Sequence, residues 1–183
     1  MKTAMDSLLI QTARQAARQL VDRLDAAVRE SRPSAEPSSF HDVVATALDE
    51  AMGCLADTGV WGPANRPASN DFWELAESYL EKGQLQVRAR KKPRGYAGDY
   101  LLLRQICEWT CCEHPVGNAM DHYFQNQAAP RAVRYRTRRV AQRIADRLTS
   151  TSEDSVHVVV VGSGPALELA WALEGADAAD RAG

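Results

Sequence analysis

Val156-His157-Val158-Val159-Val160-Val161-Gly162-Ser163-Gly164-Pro165-Ala166-Leu167-Glu168-Leu169 passes from a β-branched run through two glycines into Ala, Leu and Glu. Those residue types predict a strand over 156–161, a tight turn, and then a helix. Apolar residues at successive positions are the pattern of a strand covered on both faces by helices. The glycines allow a ligand close to the backbone, and the helix start presents unpaired N–H groups to polar or anionic atoms. The stretch therefore reads as the first strand and helix of an α/β unit.

Outward from this turn, composition narrows the function. The 183 residues are 45% hydrophobic, which is enough for a packed core and too apolar for a disordered chain. With 22 basic against 24 acidic residues the formal charge is −2, which argues against general attraction to nucleic acid or an anionic membrane. The sequence has neither an apolar run of membrane-spanning length nor a signal-peptide core at its start, and a cytoplasmic location is expected. Cys54, Cys107, Cys111 and Cys112 have no disulfide-framework spacing, and adjacent cysteines followed by Glu113 and His114 match no common zinc pattern. Reduced thiols and no metal are expected.

Before the turn the apolar spacing is helical. Leu9, Ala13, Ala16, Leu20, Leu24 and Ala27 predict a helix over about 6–30, and Phe40, Val44, Ala47, Leu48 and Ala51 a second, capped by Ser39. Residues 31–39 read as a linker and 56–69 as a loop. Asp71 with Glu74, followed by Gly83, predicts a third helix over 72–82. Pro93, Gly95 and Gly98 break the chain, and Asp99 stands where it can cap a helix from Tyr100 to about Cys111. Helices over about 118–127 and 129–148 follow, the second with Arg131, Arg134, Arg136, Arg138, Arg139, Arg143 and Arg147, a row read as a solvated face. Residues 149–155 are expected as a connector.

Two fingerprints compete for Gly162-Ser163-Gly164. A dinucleotide site of the form Gly-x-Gly-x-x-Gly would need a third glycine where Leu167 stands, which disfavours NAD or FAD. Lys92-Pro93-Arg94-Gly95-Tyr96-Ala97-Gly98-Asp99-Tyr100, then Asp121-His122-Tyr123-Phe124, then Ala132-Val133-Arg134-Tyr135-Arg136, then the glycine turn, resemble class I S-adenosylmethionine-dependent methyltransferases with an N-terminal helical cap. The pattern is similar to the bacterial subfamily that makes methyl esters of 3-hydroxy fatty acids.

That resemblance implies S-adenosylmethionine as cofactor and a small or lipid-like acid as substrate. Gly162, Ser163, Gly164 and Glu168 would form the cofactor turn, and Tyr96, Gly98 and Asp99 the loop closing over it. Arg134 or Arg136 would anchor the acid. The implied architecture is mainly α: a helical region over 1–92, a cap loop and helices over 93–150, and over 151–183 the first strand and helix of a Rossmann-like domain, truncated just after its first motif. The alternative is a non-catalytic helical binding module or a truncated methyltransferase remnant.

Overall fold

In the computed structural model, which describes residues 2–30, 37–152 and 155–182, the ordered elements are helices. They are α1 (Lys2–Glu30), α2 (Pro37–Ala56), α3 (Arg66–Leu80), α4 (Gln84–Lys91), α5 (Tyr100–Cys107), α6 (Pro115–Asn126), α7 (Ala128–Ser150) and α8 (Leu167–Ala182), with a short 3-10 turn at Gly62–Asn65. Of the expected linker 31–39, residues 31–36 lie outside the described residues and 37–39 open α2. Within the expected connector, Thr149 and Ser150 end α7, and 153–154 are likewise outside.

The expected strand over 156–161 is not formed, and among the described residues there is no strand at all. This overturns the reading of residues 151–183 as the opening of a Rossmann-like sheet; the chain is mainly α. A strand persists through ladder hydrogen bonds to a neighbour and burial of its side chains. Here the described residues supply no second extended segment, and Val159 and Val161 are 85% and 92% exposed. The β-branched run keeps its propensity but has nothing to pair with.

The chain divides into two compact units, Met1–Val87 with Cys111–Phe124, and Arg88–Thr110 with Gln125–Gly183. In the first, α1 packs against α2 and α3. Ala13, Ala16 and Ala17 allow close helix approach, while Leu20, Leu24, Val44, Phe72 and Met120 fill the core. Tyr79 donates its hydroxyl hydrogen bond to Asp25 Oδ1. Burial, followed by that bond to a carboxylate, pushes the Tyr79 phenol up to about 12. α3 starts six residues before the expected helix, at Arg66, with Pro67 in its first turn. Asp71 is thus no helix cap; it pairs with Arg14 at 2.7 Å.

Within the first unit, the start of α4 meets α6 through a buried carboxylate. Asp121 is fully buried, and it accepts from the N–H of Leu85 at 2.9 Å and of Cys112 at 3.0 Å. Gly117, one turn earlier on α6, is where the chain passes closest: a Cβ there would lie 2.1 Å from the Lys82 carbonyl oxygen and 2.5 Å from Cys112 Sγ. In the second unit α7 packs against α5 and α8.

Candidate functional site

The cap loop is built by the ends of two helices. α4 finishes at Lys91, and Lys92 takes φ 46° with its N–H on the Arg88 carbonyl at 3.0 Å. Gly95 at φ 84° and Gly98 at φ 73° turn the loop back, conformations that side chains rarely adopt. Asp99 then caps α5: its Oδ1 accepts from Leu101 N–H at 3.0 Å and Leu102 N–H at 3.1 Å, as the sequence position implied. The same oxygen accepts from Arg88 Nε at 3.0 Å and Nη2 at 2.9 Å. Burial acts to raise the Asp99 carboxyl, but the bonds from Arg88, Leu102 and Leu101 outweigh it and hold the group below the ordinary carboxylate value.

Asp99 is therefore committed to holding the loop shut at its base, and it is buried. Tyr96 at the tip is 53% exposed, and the Arg94 guanidinium lies 4.6 Å from the centre of the Tyr100 ring. The loop offers its uncharged tip to solvent and keeps its carboxylate inside.

A second constellation joins α5, α6 and α7 residues of the same unit. Gln125 is fully buried; it donates to the Gln105 carbonyl at 3.2 Å and accepts from Arg134 Nη1 at 2.6 Å. Arg134 Nη2 reaches the Gln125 carbonyl at 2.8 Å, and the guanidinium lies 4.3 Å from the centre of the Trp109 ring. Burial, ahead of the charge of Arg138, lowers the Arg134 pKa from its usual value. Two of its donors are taken up by Gln125 and the residue is buried, which leaves exposed Arg136, two residues on, as the member of the expected pair open to an acid.

The glycine turn forms the third part. Gly162, Gly164 and Ala166 have φ of 66°, 57° and 53°, so all three positions of the Gly-x-Gly-x-Ala pattern are left-handed. Ala166 donates its N–H to the Ser163 carbonyl at 2.9 Å and accepts from Ala170 at 3.2 Å, which closes the turn onto α8. Glu168 lies in the first turn of α8, where a carboxylate is favoured by the helix dipole. A methyl group added at Gly164 would come 3.9 Å from Leu103 Cδ1, and one at Gly162 would meet nothing within 4 Å. Gly164 thus comes near Leu103 of α5, while the backbone at Gly162 is open.

The second unit consequently brings together the glycine turn and α5, the helix that Asp99 caps. It does not bring Asp99 or Arg134 to an open face. Sequence reading missed Arg88, Gln125 and Trp109, the partners that fix those two residues. Arg88 precedes the loop motif that opens at Lys92, and no local signal marked Gln125. Among the described residues no three His, Cys, Asp or Glu side chains are grouped to hold a metal ion, and all four cysteines are free. No described helix is long and apolar enough to cross a membrane. Compared with family models, with curated proteins and with solved structures, the chain shows no match.

Proposed function

We propose that this chain supplies the cofactor turn and the cap loop of an S-adenosylmethionine-dependent methyltransferase acting on the carboxylate of a small or lipid-like hydroxy acid. One juxtaposition carries the reading: Gly164 lies against Leu103, one turn into the helix that the Arg-Gly-Tyr-x-Gly-Asp loop opens. Gly164 and Leu103, 61 positions apart in sequence, thus come near one another within one compact unit.

The residues present fit such a ligand on one side. The backbone at Gly162 is open, so a flat or polar group can approach it without meeting a side chain. The bound cofactor would supply a methyl group on cationic sulfur. Around it, the turn of Gly162, Ser163 and Gly164 would hold the ligand against α5, Tyr96 would close from the loop tip, and Arg136 would pair the acid. Asp99 acts by shaping the loop. A carboxylate acceptor is already anionic at neutral pH, so no base is required and positioning is the chain's main contribution. A cytoplasmic location, with a small molecule rather than nucleic acid as partner, belongs to the same proposal.

The second reading, a non-catalytic helical module, is favoured by one observation. Asp99, Asp121 and Arg134, three of the charged residues of the motifs, are buried and bonded internally. Titrating S-adenosylmethionine into glycine-labelled protein separates the two. The amides of Gly162, Gly164 and Gly98 are expected to shift at millimolar ligand, with Gly59 of the first unit unmoved. Gly162→Val should abolish the shifts. An absence of shifts, or shifts spread over all glycines, would leave the helical module as the better account.

A further inference from the structure

α7 and α8 cross through small residues. A methyl group at Gly175 of α8 would lie 3.8 Å from Ala145 Cβ of α7, so the helices are close at that point. Arg138, Ala141, Gln142 and Ala145 follow the i, i+3, i+4, i+7 spacing of one helix face, and Trp171 and Gly175 the i, i+4 spacing of the other. Together these six residues line a cleft of about 390 Å³. Its small residues form the floor, and Arg138, Gln142 and Trp171 are the groups large enough to reach a ligand. A volume of that size lies within the range of about 300–1,000 Å³ typical of small-molecule sites.

Among the described residues the lining holds a guanidinium and no acidic side chain. Arg138 is exposed, and α7 has no acidic side chain from Ala128 to Ala145, while Arg131, Arg134, Arg136, Arg139 and Arg143 lie along the same stretch. The unit to which α7 belongs carries 14 basic and 9 acidic residues, against 8 and 15 in the other unit; beside the cleft, Asp146 is held by Gln142 and Glu174 neighbours Gly175, so Arg138 is the charge of the lining itself. Gln142 donates to Asp146 at 2.7 Å, which fixes its amide with the carbonyl oxygen left as an acceptor. A purely apolar occupant would desolvate Arg138 and Gln142 without replacing their hydrogen bonds, at a cost that such groups seldom bear. An anion alone would leave the Trp171 ring unused.

We propose that the α7–α8 cleft binds a small oxyanion attached to a flat ring, of which a mononucleotide is the simplest example. Arg138 pairs the phosphate or carboxylate through its planar fork of donors, Trp171 packs against the ring, and Gln142 accepts from an amino group on the ring. The site is separate from the glycine turn and does not depend on the methyl-transfer reading.

Calorimetry on the 183-residue chain with adenosine monophosphate, adenosine and inorganic phosphate tests this. The nucleotide should bind at least about tenfold tighter than either fragment, since it alone uses both contacts. Arg138→Gln should weaken it by about ten- to a hundredfold, the worth of a charge-assisted hydrogen bond. Arg138 is exposed, so this variant is expected to keep its fold, which circular dichroism checks. Trp171→Leu should weaken nucleotide and adenosine binding and leave phosphate unchanged, with Trp171→Phe intermediate. Arg136→Gln, outside the cleft lining, should change affinity less than about twofold.

Four results would overturn the site. One is nucleotide binding no tighter than phosphate. A second is equal losses in Arg136→Gln and Arg138→Gln, which would mean a diffuse field. A third is a single-stranded oligonucleotide that outcompetes the nucleotide and loses as much affinity in Arg136→Gln, which would assign the arginine row to a polyanion. The fourth is displacement of the nucleotide by S-adenosylmethionine, which would merge the cleft with the glycine turn.

Discussion

Replacing Asp121 tests how far a motif residue of this chain is structural. Its carboxylate is fully buried on α6 and takes the N–H of Leu85 at 2.9 Å and of Cys112 at 3.0 Å. Asp121→Ala strands both donors away from water, at about 1–3 kcal/mol each, so a loss of about 2–6 kcal/mol is expected. That is a large part of the roughly 5–15 kcal/mol that holds an ordinary domain together. Asp121→Asn keeps one acceptor and turns an amine toward the other N–H, so it should lose about 1–3 kcal/mol. Urea unfolding followed by circular dichroism gives the global figure, and hydrogen exchange at the Leu85 and Cys112 amides gives the local one. Both amides should exchange faster in Asp121→Ala. A loss below about 0.5 kcal/mol, the range of an ordinary surface change, with unchanged exchange at Leu85 would refute the reasoning.

Gly117→Ala should destabilise the first unit by more than about 3 kcal/mol or prevent folding, because its Cβ would stand 2.1 Å from a backbone oxygen that cannot move alone; a urea midpoint near the parent's would contradict this. With a thiol-exchange reagent at neutral pH, exposed Cys54 should react first, whereas burial, with the charge of Asp121 next, pushes Cys111 up to about 11 and raises Cys112 as well. Mass spectrometry of the partly labelled chain would show the order. Burial, and then His41 at 4.4 Å between ring centres, lowers the His122 pKa against a smaller opposing pull from Asp121. The folded protein therefore binds fewer protons there than the unfolded chain, so this contribution to stability is complete above the unfolded value and is lost as pH falls through the folded one. His122→Phe should flatten the slope of stability against pH on the acid side of neutrality, and an unchanged slope would exclude His122 as its source.

Sequence legibility followed how local each cause was. α1, α5 and α7 were readable because their apolar stripes repeat over several turns, and the Asp99 cap was readable because a cap acts on N–H groups two and three residues ahead. α4 escaped notice: it has eight residues, three of them basic in the last turn, and one buried side chain, Leu85. What secures its start is Asp121, 36 residues away, which no local pattern signals. The strand expectation failed for the matching reason. A Val run states what a segment would do beside a partner, and the partner has to come from elsewhere in the fold. The site divided in the same way. The glycines of both turns could be located from sequence, whereas Arg134 on its helix looked like any other arginine of a solvated row until Gln125 and Trp109 closed round it.

This division bears on what the chain can contribute to chemistry. Asp99 gives its charge to Arg88 and to α5, Asp121 to two backbone donors, and Arg134 is spent on Gln125 and Trp109. A carboxylate held below its usual pKa by an arginine and two N–H groups is a poor proton acceptor, so Asp99 is the wrong group to serve as a general base. Among the candidate site residues, the Gly162 backbone, the Tyr96 tip and Arg136 stay open and offer shape, a phenol and a fixed positive charge, and Glu168 is half-buried in the first turn of α8. Methyl transfer to a carboxylate demands little more, because its nucleophile arrives ionised, whereas transfer to an alcohol or an amine would need a proton removed. Within the proposed reaction an acid acceptor therefore asks nothing of Asp99, the carboxylate that the fold has already committed to Arg88 and α5.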